Sequence, residues 1–314
     1  MNKTITLSIN KELDGTSVKS IVKHTIKLSA SLITELKKVS DGITLDGVRV
    51  TVRAIAHDGQ TLCLHIPEDC SSQPVPVDLP VDIVYEDDDI VVVNKPPYMP
   101  THPSHGHQDD TLANALSYYY RDVARENGGF VFRALNRLDR NTSGIVCVAK
   151  NKYAAALYGG LMAQGKIRKK YIAIVDGDAR ALCGSGTCII DNFIRRERES
   201  IITRCICSER DDGAAHAVTE LRTIGVTDDG MHSIVELLPR TGRTHQLRVH
   251  LAHAGFPITG DGLYGEESPL IARHALHAAS IVLPTPSGEM ALDAPLPQDM
   301  QMLITTLGAC QTSF

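Results

Sequence analysis

A single carboxylate flanked by guanidinium groups is the part of this sequence best suited to chemistry. Asp139 lies in Arg137-Leu138-Asp139-Arg140, shortly before the apolar run 145–149, which is typical of a buried strand. Burying a carboxylate there is costly unless it is paired or used, and the arginines would stabilise its charge. Asp139 could then act as a nucleophile, a general base or a salt-bridge partner. It could equally be a structural residue that caps a turn, and this segment alone favours neither interpretation.

Three further segments carry cations, a tyrosine and polar groups that could serve such a carboxylate. They are residues 166–175, which begin Lys-Ile-Arg-Lys-Lys-Tyr, residues 238–255, which contain Thr-Gly-Arg-Thr-His-Gln-Leu-Arg-Val-His, and residues 257–265, Pro-Ile-Thr-Gly-Asp-Gly-Leu-Tyr-Gly. Together with residues 137–150 they make four motifs that, in this order and at these separations, closely resemble the RluA family of RNA pseudouridine synthases. The resemblance covers roughly residues 81–300.

The resemblance implies roles for three side chains. Asp139 matches the catalytic aspartate of the family, Tyr171 matches the tyrosine that packs against the target base, and Arg248 matches the basic residue that pairs with the catalytic carboxylate. The sequence departs from the family at Asn136, where most members have histidine, so no role for a histidine is expected there.

Further residues of these motifs are expected to contact the substrate. Cations beside the aspartate, ahead of the tyrosine and before the arginine helix could follow an RNA backbone, because phosphate contacts fix a protein's register on nucleic acid. The predicted substrate-binding residues are Arg137, Leu138, Arg140, Lys169, Lys170, Arg243, His245 and Leu247.

Strands and helices predicted from the pattern would position these side chains. A strand is expected to follow Asp139, another to begin at Tyr171, and a helix capped by Thr244 to run from His245 to about His253. Leu247 shares the apolar face of that helix with neighbours at helical spacing, which leaves Arg248 on the next face, toward a cleft. Residues 179–215 are predicted to be irregular and to form a hairpin insertion near the RNA path.

The fold implied by the resemblance is α+β, the pseudouridine synthase fold, with a mixed, mostly antiparallel sheet flanked by helices. Residues 1–72 show the order helix, helix, hairpin and resemble a small alpha-L RNA-binding domain. The proline-containing residues 73–80 predict an extended linker. Residues 81–314 are the expected catalytic domain.

Composition limits the function classes. A formal net charge of -5 argues against a protein that coats nucleic acid generally, but it allows a local basic cleft. The eight cysteines show no Cys-x-x-Cys spacing and are expected to be reduced thiols. The histidines at 102, 105 and 107 lack convincing partners for a metal, so we expect no metal and no cofactor.

The location and assembly of the chain are also predicted from its sequence. The N-terminus lacks the apolar core of a signal peptide, and no apolar run approaches the roughly 20 residues of a membrane span. We therefore expect a cytoplasmic protein without a membrane partner, and a monomer, because no interface pattern is evident.

One carboxylate without a cofactor fits the isomerisation of uridine to pseudouridine. The expected partner is a ribosomal or transfer RNA, at a loop or a locally opened stem where the uridine can leave its stack. One alternative is a glycoside or nucleoside hydrolase, although retaining glycosidases need two carboxyl groups close together and Asp139 has no obvious partner. The other is a non-catalytic RNA-binding protein.

Overall fold

The fold is that of a computed structural model, which describes residues 1–68, 73–285 and 288–308. The predicted domain boundary at residue 72 lies outside the described residues, as do two residues of the predicted turn 284–288. The boundaries of the N-terminal domain and the linker therefore stay predictions.

The described residues form seventeen strands and eight α-helices. The strands are β1 (Lys3–Ser8), β2 (Thr16–Ser17), β3 (Ile43–Leu45), β4 (Val48–Arg49), β5 (Ile55–Ala56), β6 (Thr61–Ile66), β7 (Ile83–Glu86), β8 (Ile90–Lys95), β9 (Arg133–Ala134), β10 (Ser143–Ala149), β11 (Arg168–Asp176), β12 (Thr187–Arg196), β13 (Arg204–Cys207), β14 (Ala215–Val226), β15 (His232–Pro239), β16 (Leu276–Thr285) and β17 (Gly288–Asp293). The helices are α1 (Val18–Ser20), α2 (Ala30–Leu36), α3 (Leu112–Tyr119), α4 (Arg121–Glu126), α5 (Lys152–Ala163), α6 (Arg180–Cys183), α7 (Gln246–His253) and α8 (Gln298–Thr306), with a π-helical turn at Ile21–Thr25.

Eleven of the strands belong to one mixed, mostly antiparallel sheet. Together with the helices, this sheet confirms the predicted α+β class. Two compact units divide the chain, and β8 and β10 have residues in both. No described helix is long and apolar enough to cross a membrane.

The first unit comprises residues 1–92, 102–135 and 147–163. Its N-terminal part has a four-stranded sheet in the order β1-β6-β3-β4 and a β2-β5 pair, which enclose an apolar core. Asp46 and Gly47 connect β3 to β4 with positive φ angles of 48° and 79°, as a two-residue Asp-Gly hairpin requires. The predicted order of two short helices and a hairpin is confirmed.

The rest of the first unit begins with an extended segment. Residues 73–80 are neither helix nor strand, and the side-chain amide of Asn114 donates a 2.8 Å hydrogen bond to the carbonyl of Val75. Thr111 caps α3 through a capping box with Asn114. Tyr120 separates α3 from α4.

The second unit comprises residues 93–101, 136–146 and 164–314, described to residue 308. Its strands follow the order β13-β12-β14-β15-β11-β16-β10, with β17 also paired to β16. Residues 179–215, predicted to be irregular, form α6 and the paired strands β12 and β13, so only the hairpin part of that prediction is correct. Cys183 and Cys188 are joined by a disulfide, which contradicts the expectation of reduced thiols at these two positions.

Strands β10 and β16 approach each other unusually closely where they pair in parallel. Gly144 lies opposite Ala278 with φ 110°, and a Cβ on Gly144 would lie 2.2 Å from the carbonyl oxygen of Ala278. Only glycine fits this position, because any side chain would overlap the backbone of β16 and strain its own. The close pairing brings the segment after Asp139 against the start of β16.

Three buried histidines of the second unit make its stability depend on pH. Burial lowers the pKa of each of His250, His274 and His277 to about 4. His274 and His277 hydrogen-bond the hydroxyls of Thr142 and Ser143. These are packed histidines, as the sequence predicted, and they are neutral at pH 7.

We expect the free energy of unfolding to fall as the pH drops from 6.5 to 4. Over that range the unfolded chain binds protons that the folded chain does not, at a cost on the order of 3 kcal/mol for each histidine. His250→Leu removes one such group. It does not leave the Thr219 hydroxyl unpaired, because that hydroxyl still accepts a hydrogen bond from Gln246. Urea unfolding between pH 7 and 4.5 should show a shallower pH dependence for this variant. Parallel curves for the two proteins would contradict the assignment.

Candidate active site

Asp139 lies at the first position of a tight turn that leads into β10. The backbone N–H of Thr142 donates to the carbonyl of Asp139 at 3.1 Å, which closes the turn. The hydroxyl of Thr101 donates to the carbonyl of Leu138 at 3.0 Å and accepts from its N–H at 3.3 Å. Asn136, in place of the family's histidine, donates from its side chain to the carbonyl of Ile145. The residues around Asp139 are therefore held by their backbone.

A buried lysine supports one side of this turn. Lys95 is fully buried, and its ammonium group donates to the carbonyls of Pro96, Met99 and Arg140 at 2.8, 2.8 and 3.2 Å. Burial, and then the positive charge of Arg273, lower the pKa of Lys95 to about 7 against the opposing charge of Asp139. Three carbonyl acceptors are what a buried ammonium group needs for its three protons.

A buried arginine and a histidine support the other side. Arg273, 2% exposed, donates to the carbonyl of Asn141 at 3.0 Å and forms an ion pair with Asp299. His274 meets the hydroxyl of Thr142 at 2.8 Å. Consecutive residues of the turn after Asp139 are thus fixed by side chains more than 130 residues later in the sequence.

Arg248 lies between two carboxylates. Its Nη1 is 3.2 Å from Asp139 Oδ2, while Nε and Nη2 each donate to Asp261 at 2.7 Å. The bidentate pair with Asp261 fixes the plane of the guanidinium group and leaves Nη1 for Asp139. Among the described residues, no side chain or backbone group donates to Asp139 Oδ1.

The electrostatics of the Arg248–Asp261 pair follow from its burial. Burial alone would raise the pKa of Asp261, but the hydrogen bonds and charge of Arg248 outweigh it and hold that pKa below its usual value. Burial likewise opposes the charge of Arg248, yet Asp261 and Asp139 raise its pKa. Both partners are therefore ionised, and the three groups together carry one net negative charge.

Tyr171 lies on β11 and is 7% exposed. Burial, and then the negative charge of Asp139, raise the pKa of its hydroxyl, so the phenol is neutral beside the carboxylate. In the sheet register, Tyr171 is paired with Leu237 of β15 on one side and with Ala278 of β16 on the other. The structure therefore brings Asp139, Tyr171 and Arg248 into one site.

The predicted cationic contacts differ in exposure. Arg137, Arg140 and Arg243 are exposed, and Arg140 and Arg243 donate from Nε to the carbonyls of Tyr98 and His216. Lys169 and Lys170 are half-buried at the start of β11, and burial lowers the pKa of Lys169. Arg137 and Arg140 flank Asp139 in the sequence, Lys169 and Lys170 directly precede Tyr171 on β11, and Arg243 precedes α7.

The last two predicted substrate contacts lie on or next to α7. Leu247 is 7% exposed and part of the apolar core, so it offers little surface to a substrate. His245 precedes α7 in a left-handed conformation, with φ 56° and ψ 17°. The predicted cap by Thr244 is wrong: α7 begins at Gln246, and the Gln246 side chain accepts from the N–H of Arg243 instead.

A cavity of about 500 Å³ borders the ion pair. Arg248, Asp261, Asn141, Glu267 and His274 are among its lining residues. Within residues 1–68, 73–285 and 288–308, no group of three histidine, cysteine or acidic side chains is arranged to hold a metal ion.

Several residues of the site were not assigned a role from the sequence. A place for Asp261 in a tight turn could have been predicted, because an acidic residue between two glycines is suited to such a turn. A Cβ on Gly260 would lie 2.5 Å from the carbonyl oxygen of Arg273, so the turn packs directly against backbone. Lys95, Tyr264 and Arg273 gave no local signal, since their partners lie far away in the sequence.

Comparison with known proteins identifies a common family. Residues 89–253 match the family described as RNA pseudouridylate synthase. A Bacillus subtilis protein named as an uncharacterised RNA pseudouridine synthase is 33% identical over 88% of this chain and 94% of its own length. Ribosomal large subunit pseudouridine synthase D from Zymomonas mobilis is also 33% identical, over 88% of this chain and 92% of its own.

Solved structures show the same similarity. Human RNA pseudouridylate synthase domain containing 4 superposes with a TM-score of 0.58 at 25% identity, over 74% of this chain and 95% of that protein. Human RNA pseudouridylate synthase domain containing 1 gives a TM-score of 0.55 at 30% identity, over 75% of this chain and 97% of its own.

We expect Asp261→Asn to lower the free energy of unfolding by about 3–5 kcal/mol, because it leaves Arg248 buried without its main counter-charge. The matched control is Glu289→Gln, which removes the carboxylate of an exposed bidentate pair with Arg168 and should change stability little. Urea unfolding of both variants at pH 7 measures the difference. Equal effects would show that the Asp261 pair contributes no more than a surface ion pair.

Proposed function

The chain belongs to the RNA pseudouridylate synthase family, and we propose that Asp139 is the carboxylate with which it isomerises uridine. The observation that carries this proposal is the way Asp139 is held. Arg248 engages Oδ2, and Oδ1 accepts no hydrogen bond from the described residues. One oxygen of a fixed, ionised carboxylate is thus available to a substrate.

The reaction rearranges one nucleotide without any other reactant. The bond between N1 of uracil and C1′ of ribose breaks, the base turns, and a bond forms between C5 and C1′. A proton leaves C5 and one is gained at N1, so atoms and charge balance. Attack of Asp139 on C1′ and removal of a sugar proton would both use the unengaged oxygen.

Arg248 and Tyr171 have separate roles in this proposal. Arg248 aims Asp139, because its own guanidinium plane is set by Asp261. Tyr171 offers a neutral aromatic face to the detached uracil, supported by its place in the sheet and the influence of Asp139 on its pKa. A detached uracil needs such a face if it is to turn without leaving the site.

The RNA would be held by the cations around the site. Arg137 and Arg140 flank Asp139, Lys169 and Lys170 precede Tyr171 on β11, and Arg243 precedes α7, and all five could contact phosphates on either side of the target. The uridine must leave its stack to reach a carboxylate held in a turn, which favours a loop or a locally opened stem. Leu247 is buried and His245 is half-buried, so we assign neither of them a phosphate contact.

We propose ribosomal RNA as the substrate class, with transfer RNA as the alternative. Relatives from Zymomonas mobilis and Pseudomonas aeruginosa, 33% and 32% identical, are named as ribosomal large subunit pseudouridine synthases. The proposal includes a cytoplasmic monomer, and an N-terminal alpha-L-like domain over residues 1–72 that adds RNA affinity.

The first test is pseudouridine mapping of total RNA by carbodiimide labelling and primer extension, with and without the gene. Sites lost on deletion should return with the wild-type gene but not with Asp139→Asn, because an amide cannot replace the reacting carboxylate oxygen. The purified variant should still bind RNA. Restoration of the sites by Asp139→Asn would rule out Asp139 as the catalytic carboxylate.

A second test concerns the cations at the start of β11. Lys169→Gln and Lys170→Gln should each weaken RNA binding, and should each lower the slope of affinity against salt concentration by about 0.7 to 0.9 if one phosphate contact is lost. Arg168→Gln is the matched control, since Arg168 is the neighbouring cation and is neutralised by Glu289. Filter binding at several salt concentrations measures the slopes. An equal decrease in slope for all three variants would show that the RNA does not contact Lys169 and Lys170 specifically.

A further inference from the structure

His245 has an unusual backbone next to the reacting carboxylate. It is one of four non-glycine residues in the described part of the chain with a positive φ angle. Such strained positions persist only where the surrounding structure enforces them, and they concentrate at functional sites. With this backbone, Nε2 of the imidazole ring lies 3.8 Å from Asp139 Oδ2.

The ring is held by a chain of hydrogen bonds that also sets its tautomer. The backbone N–H of Arg204 donates to the hydroxyl oxygen of Tyr264 at 2.9 Å, and that hydroxyl is 2.7 Å from Nδ1 of His245. If Nδ1 carried the proton, the hydroxyl of Tyr264 would accept twice and its own proton would have no acceptor among the described residues. The arrangement is satisfied when Tyr264 donates to Nδ1. The ring proton is then on Nε2, the nitrogen that faces Asp139.

The surroundings keep this imidazole neutral. Burial lowers the pKa of His245, and the positive charges of Arg248 and Arg204 act in the same direction against the attraction of Asp139 and Asp261. Burial also raises the pKa of the Tyr264 hydroxyl, so the donor of the chain keeps its proton. The Tyr264 ring packs against an apolar cluster formed by Ile194, Ala217 and Val249. The whole arrangement is therefore rigid before any RNA binds.

We propose that His245 is a positioning residue whose Nε2–H donates to Asp139 Oδ2 in the RNA complex, so that Arg248 and His245 together hold one oxygen and present Oδ1 to the ribose. This proposal rests on the proposed role of Asp139. The gap of 3.8 Å is wider than a hydrogen bond, and such contacts commonly tighten when the substrate is bound. His245 was predicted from the sequence to bind the substrate, but its side chain is only 12% exposed and Nδ1 is already occupied.

The test separates this role from RNA binding and from folding. His245→Asn suits the left-handed backbone, since asparagine tolerates it, but its short amide can reach only the position of Nδ1. His245→Gln places an amide N–H near the position of Nε2. We expect His245→Asn to lower kcat on the order of 10- to 100-fold, the worth of one hydrogen bond to a charged group, with KM and RNA affinity unchanged. His245→Gln should recover a large part of that loss.

Tyr264→Phe tests the tautomer. It keeps the ring in the apolar cluster but frees Nδ1, so His245 can take a second proton beside Asp139. We expect kcat of this variant to show a new ionisation between about pH 5.5 and 7.5. The wild type and a Tyr264→Phe, His245→Asn double variant should lack it. The groups facing His245 are Asp139, Arg248, Arg204, Asp261 and Tyr264, and none except Tyr264 is altered.

The controls separate the possible failures. His253→Asn replaces an exposed histidine at the end of α7 and should leave kcat unchanged. Circular dichroism and thermal unfolding verify that each variant is folded at the assay temperature. Wild-type kcat with a raised KM for His245→Asn, or equal kcat for His245→Asn and His245→Gln, would overturn the positioning role. Activity in Asp139→Asn would overturn the proposed function itself, whatever the His245 variants do.

Discussion

The buried ion pair between Arg248 and Asp261 is the interaction on which the site depends. A guanidinium group that is 8% exposed cannot remain in the protein unless it is paired, and Asp261 occupies two of its donors in a fixed plane. The remaining nitrogen, Nη1, then lies 3.2 Å from Asp139. The pair also joins α7 to the turn that follows Gly260. Its geometry decides where the negative charge of the site lies, and any change in it would be transmitted directly to Asp139.

The turn that contains Asp139 is held mainly through its backbone. Lys95 binds the carbonyl of Arg140, Arg273 binds that of Asn141, and the hydroxyl of Thr142 meets His274. The exposed side chains of this turn are therefore free to contact a substrate while the chain beneath them stays fixed. In the proposed function this separation is useful, because a carboxylate held by its backbone would not move with side chains that contact RNA.

Sequence reasoning found the elements of the site but not its connections. The strand after Asp139, the strand that contains Tyr171 and the helix that contains Arg248 were predicted because periodicity is a local property. Asp139, Tyr171 and Arg248 were identified through motifs and do lie together. The roles of Lys95, Arg273 and Tyr264 could not be inferred, since each depends on a partner that only the folded chain brings near. The left-handed backbone at His245 was also missed, because Thr244 is a plausible helix cap and tertiary contacts decided otherwise.

The parallel pairing of β10 with β16 has a consequence for the order in which the protein becomes active during synthesis. Asp139 is made before the midpoint of the chain, yet Arg273, which holds the following residues, is anchored by Asp299 near the end. The chain must therefore be made as far as Asp299 before the turn after Asp139 acquires this support. Closing loops of more than 130 residues also costs entropy that only the final packing repays. A nascent chain that ends before Asp299 would carry the motif around Asp139 without the contacts that hold it in place.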